Sequence, residues 1–91
     1  ILLINRYEVA AGRALTDLDL HDRANVILLG SRVREKLFPD GEPALGRWVD
    51  VDGVPFRVVG LLRHYERFYG TYNTLAWKND IAFVPVTTMA T

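Results

Sequence analysis

Hydrophobic and polar positions change in short blocks along the chain, and most blocks end on glycine or proline. Residues 2 to 9, closing on Tyr7-Glu8-Val9, give the first predicted strand, and Ala10-Ala11-Gly12 breaks it. Thr16-Asp17-Leu18-Asp19 places a capping hydroxyl three positions before an acid, which predicts one helical turn over about 17 to 21. Val26-Ile27-Leu28-Leu29 is β-branched at its start and stopped by Gly30, the pattern of a strand buried on both faces. Ser31 is then the expected cap of a helix over 32 to 38. Val33 and Leu37 stand four apart on one face of it with Phe38 beside them, and Arg32, Glu35 and Lys36 face outward. Pro39-Asp40-Gly41 stops that helix.

The clearest pattern comes next. Arg47-Trp48-Val49-Asp50-Val51 alternates, Asp52-Gly53 suits the two positive-φ positions of a type I′ turn, and Phe56 to Leu62 continues as the return strand. Val49 and Val51 share one face of this hairpin, and Phe56 and Val58 share a face of the partner strand. Pro55 lacks an N–H and belongs where its strand is unpaired or just starting. Residues 64 to 80 show no strong period, and Ile81-Ala82-Phe83-Val84 gives a last strand ended by Pro85. The elements together predict an α+β fold: a curved, mostly antiparallel sheet of about five strands with one short helix packed on it.

Composition narrows the function classes. A chain of 91 residues has room for one domain, or for one lobe of a larger protein. Eleven Lys+Arg balance eleven Asp+Glu, so the basic footprint of a nucleic-acid binder is missing. With no cysteine, a disulfide scaffold and a cysteine-ligated zinc site are excluded. The chain opens on the apolar run Ile1-Leu2-Leu3-Ile4 and reads as a piece of a longer protein. Its apolar stretches fall far short of the roughly 20 residues that cross a bilayer.

Chemistry-bearing side chains are few. Asp17, Asp19, His21 and Asp22 form the densest group of candidate metal ligands. Counted as a calcium loop, however, the sixth position is Asp22 where glycine is needed and the twelfth is Leu28 where a bidentate Glu is needed. A polar helix start, with acids near the positive end of the dipole, accounts for these residues better than a metal site does. His64 sits among Arg63, Tyr65, Glu66 and Arg67 just past a strand, the setting of a solvated loop residue. Gly30-Ser31 lacks both the nucleophile-elbow pattern and the Gly-Lys ending of a phosphate loop. No catalytic residue, cofactor or metal is expected.

Half of the aromatic residues fall in one short stretch: Tyr65, Phe68, Tyr69, Tyr72 and Trp77. A connection of this length without clear structure is uncommon inside a domain and usually has a function. Either some of these rings fold back onto the core, or they are contact anchors for a partner.

Five pieces in order resemble one family. They are residues 11 to 19 (Ala11-Gly12-Arg13 to Asp19), Val26 to Gly30, Val33 through Leu37-Phe38, Pro43-Ala44-Leu45-Gly46, and Val49 to Gly60. This order is similar to that of the MacB-like periplasmic core domain of FtsX-like ABC transporter permeases, over roughly residues 9 to 62. Phe83-Val84-Pro85 is a weaker echo. Gly12 and Gly30 close strands in that pattern, Gly46 turns the chain into the hairpin, Gly53 takes the left-handed turn position, and Gly60 marks a bulge or a close backbone approach.

The resemblance implies an extracytoplasmic, periplasmic lobe, residues 1 to 91, of a larger permease at the bacterial inner membrane. It implies binding of a transported substrate or an adaptor protein, and relay of motion driven by a separate ATPase. The remainder of the permease and its ATPase are the implied partners. Two alternatives remain at this level: a free-standing ligand- or protein-binding module using the aromatic loop, and a metal-dependent enzyme built on Asp17, Asp19 and His21.

Overall fold

The computed structural model describes residues 7–85. The elements are β1 (Val9–Gly12), α1 (Asp17–His21), β2 (Val26–Leu29), α2 (Ser31–Leu37), β3 (Trp48–Val51), β4 (Val54–Leu62), β5 (Phe68–Tyr69), β6 (Tyr72–Asn73), α3 (Ala76–Asn79) and β7 (Ala82–Phe83). The long strand β4 organises them. One of its edges pairs antiparallel with β3 along the first half and with β1 along the second. Its other edge pairs parallel with β2, and β7 closes that side antiparallel to β2. The result is a five-stranded, mostly antiparallel sheet with short helices. The expected α+β architecture is therefore present, with three helices among the described residues instead of one.

The Asp52-Gly53 hairpin forms as the pattern predicts, with φ of 52° and 85° at its two turn residues. Val49 and Phe56 face each other across the ladder, and both are buried. In a hairpin closed by a two-residue turn the flanking pair, Val51–Val54, exchanges hydrogen bonds, so Asp50–Pro55 is the pair that does not. Pro55 thus aims its missing N–H at the opposite edge. There pairing starts only at Arg57, whose N–H donates to the Asn25 carbonyl at 2.9 Å.

Register shifts at Val59, where β4 carries one residue more than β2. An inserted residue moves everything after it to the other face. Phe56 and Val58 accordingly join the core cluster with Ile27, Leu29, Phe38, Ala44 and Val49, while beyond the bulge Leu61 packs against that cluster. Leu28 and Leu62 are buried as well, so β2 is covered on both faces. The bulged Val59 carbonyl accepts the Arg13 N–H at 2.9 Å, and a Cβ on Gly60 would run into the Arg13 carbonyl oxygen and lie 2.5 Å from Leu28 Cδ2.

Three expectations need correcting. The segment read as a break, Ala10-Ala11-Gly12, is β1 itself; it completes the free edge of β4 and accommodates Ala10 as an extra residue between Val9 and Ala11. Residues 2 to 6 of the predicted first strand lie outside the described residues. Ser31 does not cap α2: Gly30 is the N-cap, without a side-chain hydrogen bond, and Ser31 is the first helical residue. Leu37 is exposed, because a helix of seven residues ends there and Phe38 turns inward to take the core position. The Arg47 guanidinium lies over the Phe38 ring, 5.3 Å from its centre.

Candidate functional site

Residues 63 to 80 are built from local chemistry that hydrophobic periodicity does not register. Gly70, with φ of 64°, takes the first position of a two-residue turn joining β5 to β6, the place glycine holds in a type II′ turn. Two asparagines then tie the ribbon down. Asn73 Oδ1 accepts from the N–H of Arg67 (2.8 Å) and of Leu75 (3.1 Å), and its Nδ2 donates to the Tyr65 carbonyl at 3.1 Å. Asn79 is 3% exposed. Its Oδ1 accepts the Tyr65 N–H at 2.8 Å and its Nδ2 donates to the Tyr65 carbonyl at 2.9 Å. Asn79 thus pairs with the Tyr65 peptide as a neighbouring strand would. Such groups must be satisfied once buried.

The platform is joined to the sheet at several points. The Gly30 N–H donates to the Ile81 carbonyl at 2.7 Å, and a Cβ on Gly30 would lie 2.5 Å from the Asn79 carbonyl oxygen, so the end of β2 and the end of α3 meet backbone to backbone. Tyr65 turns inward: its hydroxyl accepts the Glu8 N–H at 2.7 Å and its ring meets Tyr7 edge-on at 5.8 Å. Tyr7 meets Phe83 at 5.0 Å. The Lys78 ammonium stands over the Tyr65 and Tyr7 rings, 4.1 and 4.8 Å from their centres, and the Arg63 guanidinium adds a further contact on Tyr65. Burial, and then the neighbouring Tyr65, push the Tyr7 hydroxyl above its ordinary pKa.

The five rings singled out from the sequence therefore divide. Tyr65 belongs to this inner cluster, whereas Phe68, Tyr69, Tyr72 and Trp77 project outward, Tyr69 at 84% exposure. Asn73 and Asn79, which hold the arrangement together, carry no signal in the hydrophobic pattern. Their partners lie up to 14 residues away.

The remaining candidates take structural parts. Thr16 and Asp19 form a reciprocal capping box, and Asp19 also binds Arg13 through both carboxylate oxygens, at 2.8 and 3.2 Å. The Arg13 hydrogen bond, and to a lesser degree the Thr16 N–H, hold the Asp19 carboxyl below its ordinary pKa against the opposing effect of burial. Asp17 is exposed, and His21 contacts Asp22 on the surface at 3.1 Å. Among the described residues no three His, Cys, Asp or Glu side chains converge as a metal site would require. His64 Nδ1 lies 2.6 Å from Ser31 Oγ and its Nε2 lies 3.0 Å from Glu66. That order superficially matches a hydrolase triad, but the His64 and Glu66 side chains are 51% and 53% exposed, and water-screened groups lack the enclosed field such chemistry uses. What the contact does is link the start of α2 to the platform.

Comparison with known proteins agrees with this architecture. The profile of the MacB-like periplasmic core domain matches residues 2–91. The uncharacterized ABC transporter permease YvrN of Bacillus subtilis (strain 168) is 37% identical over 81 residues, which is 85% of this chain and 18% of that protein. The macrolide export ATP-binding/permease protein MacB 2 of Yersinia pestis is 30% identical over 73 residues, covering 80% of this chain and 11% of its own length. Among solved structures, the periplasmic region of MacB from Actinobacillus actinomycetemcomitans shares the fold, with a TM-score of 0.73 at 22% identity over 97% of this chain and 35% of that one. The extracellular domain of the noncanonic ABC-type transporter YknZ from Gram-positive bacteria gives 0.64 at 28% identity, covering 69% and 33%. The chain spans less than a fifth of the curated relatives it matches, and no helix among the described residues is long and apolar enough to cross a membrane. It belongs to the MacB-like periplasmic core domain family of ABC transporter permeases.

Proposed function

We propose that the chain is a non-catalytic extracytoplasmic lobe of an ABC exporter, which binds the substrate or an adaptor protein and passes on motion generated by ATP hydrolysis elsewhere in the transporter. The observation that supports this reading is the exposure of Phe68, Tyr69, Tyr72 and Trp77 on a platform clamped by asparagines and joined to the sheet. Large rings held outward on a rigid base suit contact anchors, which lose little conformational freedom when a partner arrives. The names of two relatives, macrolide export and pyoverdine export proteins, support the direction of transport.

Replacing Tyr69, Tyr72 and Trp77 together with Ser in the full-length permease tests the reading. The isolated chain should still unfold cooperatively, since these side chains are mostly solvated. Transport should fall strongly, because truncating an anchor commonly costs about 2 kcal/mol or more of binding. A variant that folds and transports normally would place the contact surface elsewhere.

A further inference from the structure

The ten residues 68 to 77, Phe-Tyr-Gly-Thr-Tyr-Asn-Thr-Leu-Ala-Trp, contain no charged side chain and are bounded by Arg67 and Lys78. Tyr69 pairs with Tyr72 across the two-stranded ribbon, and Phe68 pairs with Asn73. Because successive side chains alternate between faces, Tyr69 and Tyr72 occupy one face of the ribbon and Phe68 the other. All three rings are nonetheless exposed. A flat protein surface covers one face of such a ribbon, whereas a fluid medium surrounds both. The apex between the rings is Gly70-Thr71, small and uncharged.

The charges nearby favour the same occupant. Glu66 is hydrogen-bonded to His64, and Asp80 is paired with Lys36 at 3.3 Å, so each of these nearby carboxylates has a partner. Arg67 has no ion pair among the described residues and lies beside the rings. Tyr and Trp rings, with one polar atom on an apolar body, collect at the headgroup level of bilayers, and a flanking cation adds attraction to anionic lipid.

We infer that the β5–β6 ribbon, together with the exposed Trp77 at the start of α3, docks on a phospholipid surface, entering the headgroup zone with these rings while Arg67 meets lipid phosphate. This rests on the reading above only in taking the exposed rings as a contact surface, and it gives that surface a lipid bilayer in place of the substrate or an adaptor protein. In a permease it would set the height and orientation of the lobe over the bilayer.

The test uses the 91-residue chain with vesicles of phosphatidylcholine alone and of phosphatidylcholine mixed with phosphatidylglycerol. In a Trp48→Phe background Trp77 is the one tryptophan left, and it is excited selectively over the tyrosines at the red edge of the absorption band. Its emission should shift to shorter wavelength as vesicles are added, more so with the anionic lipid, and unchanged protein should pellet with them. The Phe68→Ser/Tyr69→Ser double variant, with folding verified by circular dichroism, should partition about tenfold or more weakly. Arg67→Gln should remove the preference for anionic vesicles.

Unchanged protein that stays in the supernatant with both compositions overturns the lipid assignment, and so does undiminished binding by the double variant. If vesicles are not bound yet the triple-serine permease still loses transport, the rings contact a protein or the substrate, and the proposed function survives without the lipid. If vesicles are bound yet that permease transports normally, lipid docking stands and the rings lose their role in transport.

Discussion

Asn79 is the side chain on which the platform most depends. Buried, it satisfies both the N–H and the carbonyl of Tyr65. Asn79→Ala leaves the Tyr65 N–H without its partner and the Tyr65 carbonyl with the Asn73 bond alone, and an unsatisfied buried polar group costs about 1–3 kcal/mol. Urea denaturation should show a loss in that range, whereas Asn73→Ala, at a more exposed site with one bond to the same carbonyl, should lose less. Equal losses would mean that Asn79 is not the principal clamp. Asp19 gives a second, pH-dependent prediction. Its pKa is lowered in the folded chain, chiefly by the Arg13 hydrogen bond. Its contribution is therefore complete above the ordinary carboxylate pKa and disappears as pH falls through the lowered folded value. The stabilities of the unchanged chain and of Asp19→Asn should differ at neutral pH and converge in acid. Parallel pH profiles would show that the Arg13–Asp19 pair does not stabilise the fold.

At the scale of elements, the turn of the β3–β4 hairpin isolates the effect of backbone conformation. Gly53 holds φ of 85° with open space where a Cβ would go, so the cost of a side chain there comes from the backbone conformation alone. Gly53→Val should destabilise by roughly 1 to 2 kcal/mol or more, since a β-branched residue is forced into the left-handed region. A melting temperature equal to that of the unchanged chain would contradict this. The same hairpin shows why part of the fold could be read in advance. Asp52-Gly53 and the Thr16-Asp19 capping box are local signals, in which the residues that specify the geometry are the residues that adopt it. The β5–β6 ribbon was unreadable for the converse reason: Gly70-Thr71 is not an Asn-Gly turn, and the bonds holding the ribbon reach from Asn73 and Asn79 back to Tyr65, 8 and 14 residues away. The aromatic cluster was visible as composition, but its division into inward Tyr65 and outward Phe68, Tyr69, Tyr72 and Trp77 depends on those distant bonds. Edge completion explains the misread break at Ala10-Ala11-Gly12, because β1 is a strand only in the presence of the far end of β4.

At the scale of the whole molecule, a lobe that relays motion must keep its contact surface rigidly joined to its sheet, otherwise force applied at one end is lost in deformation. The structure supplies that joint through the Gly30–Ile81 backbone bond and through the ring cluster of Tyr7, Tyr65 and Phe83 with Lys78 above it, while the Asn79–Tyr65 bonds hold the platform itself together. All of these lie where the end of β2 meets the segments on either side of α3. If they act as one joint, the platform and the sheet form a single cooperative unit, and their protected amides should open together. Native-state hydrogen exchange should then give the Tyr65 and Gly30 N–H groups the same opening free energy as the core amides of β2 and β4. In Asn79→Ala the Tyr65 amide should exchange faster than those core amides, while Gly30, still bonded to Ile81, stays nearer to them. Should the Tyr65 amide of the unchanged chain already exchange several orders of magnitude faster than β4, the platform opens on its own and cannot serve as the rigid end of a relay.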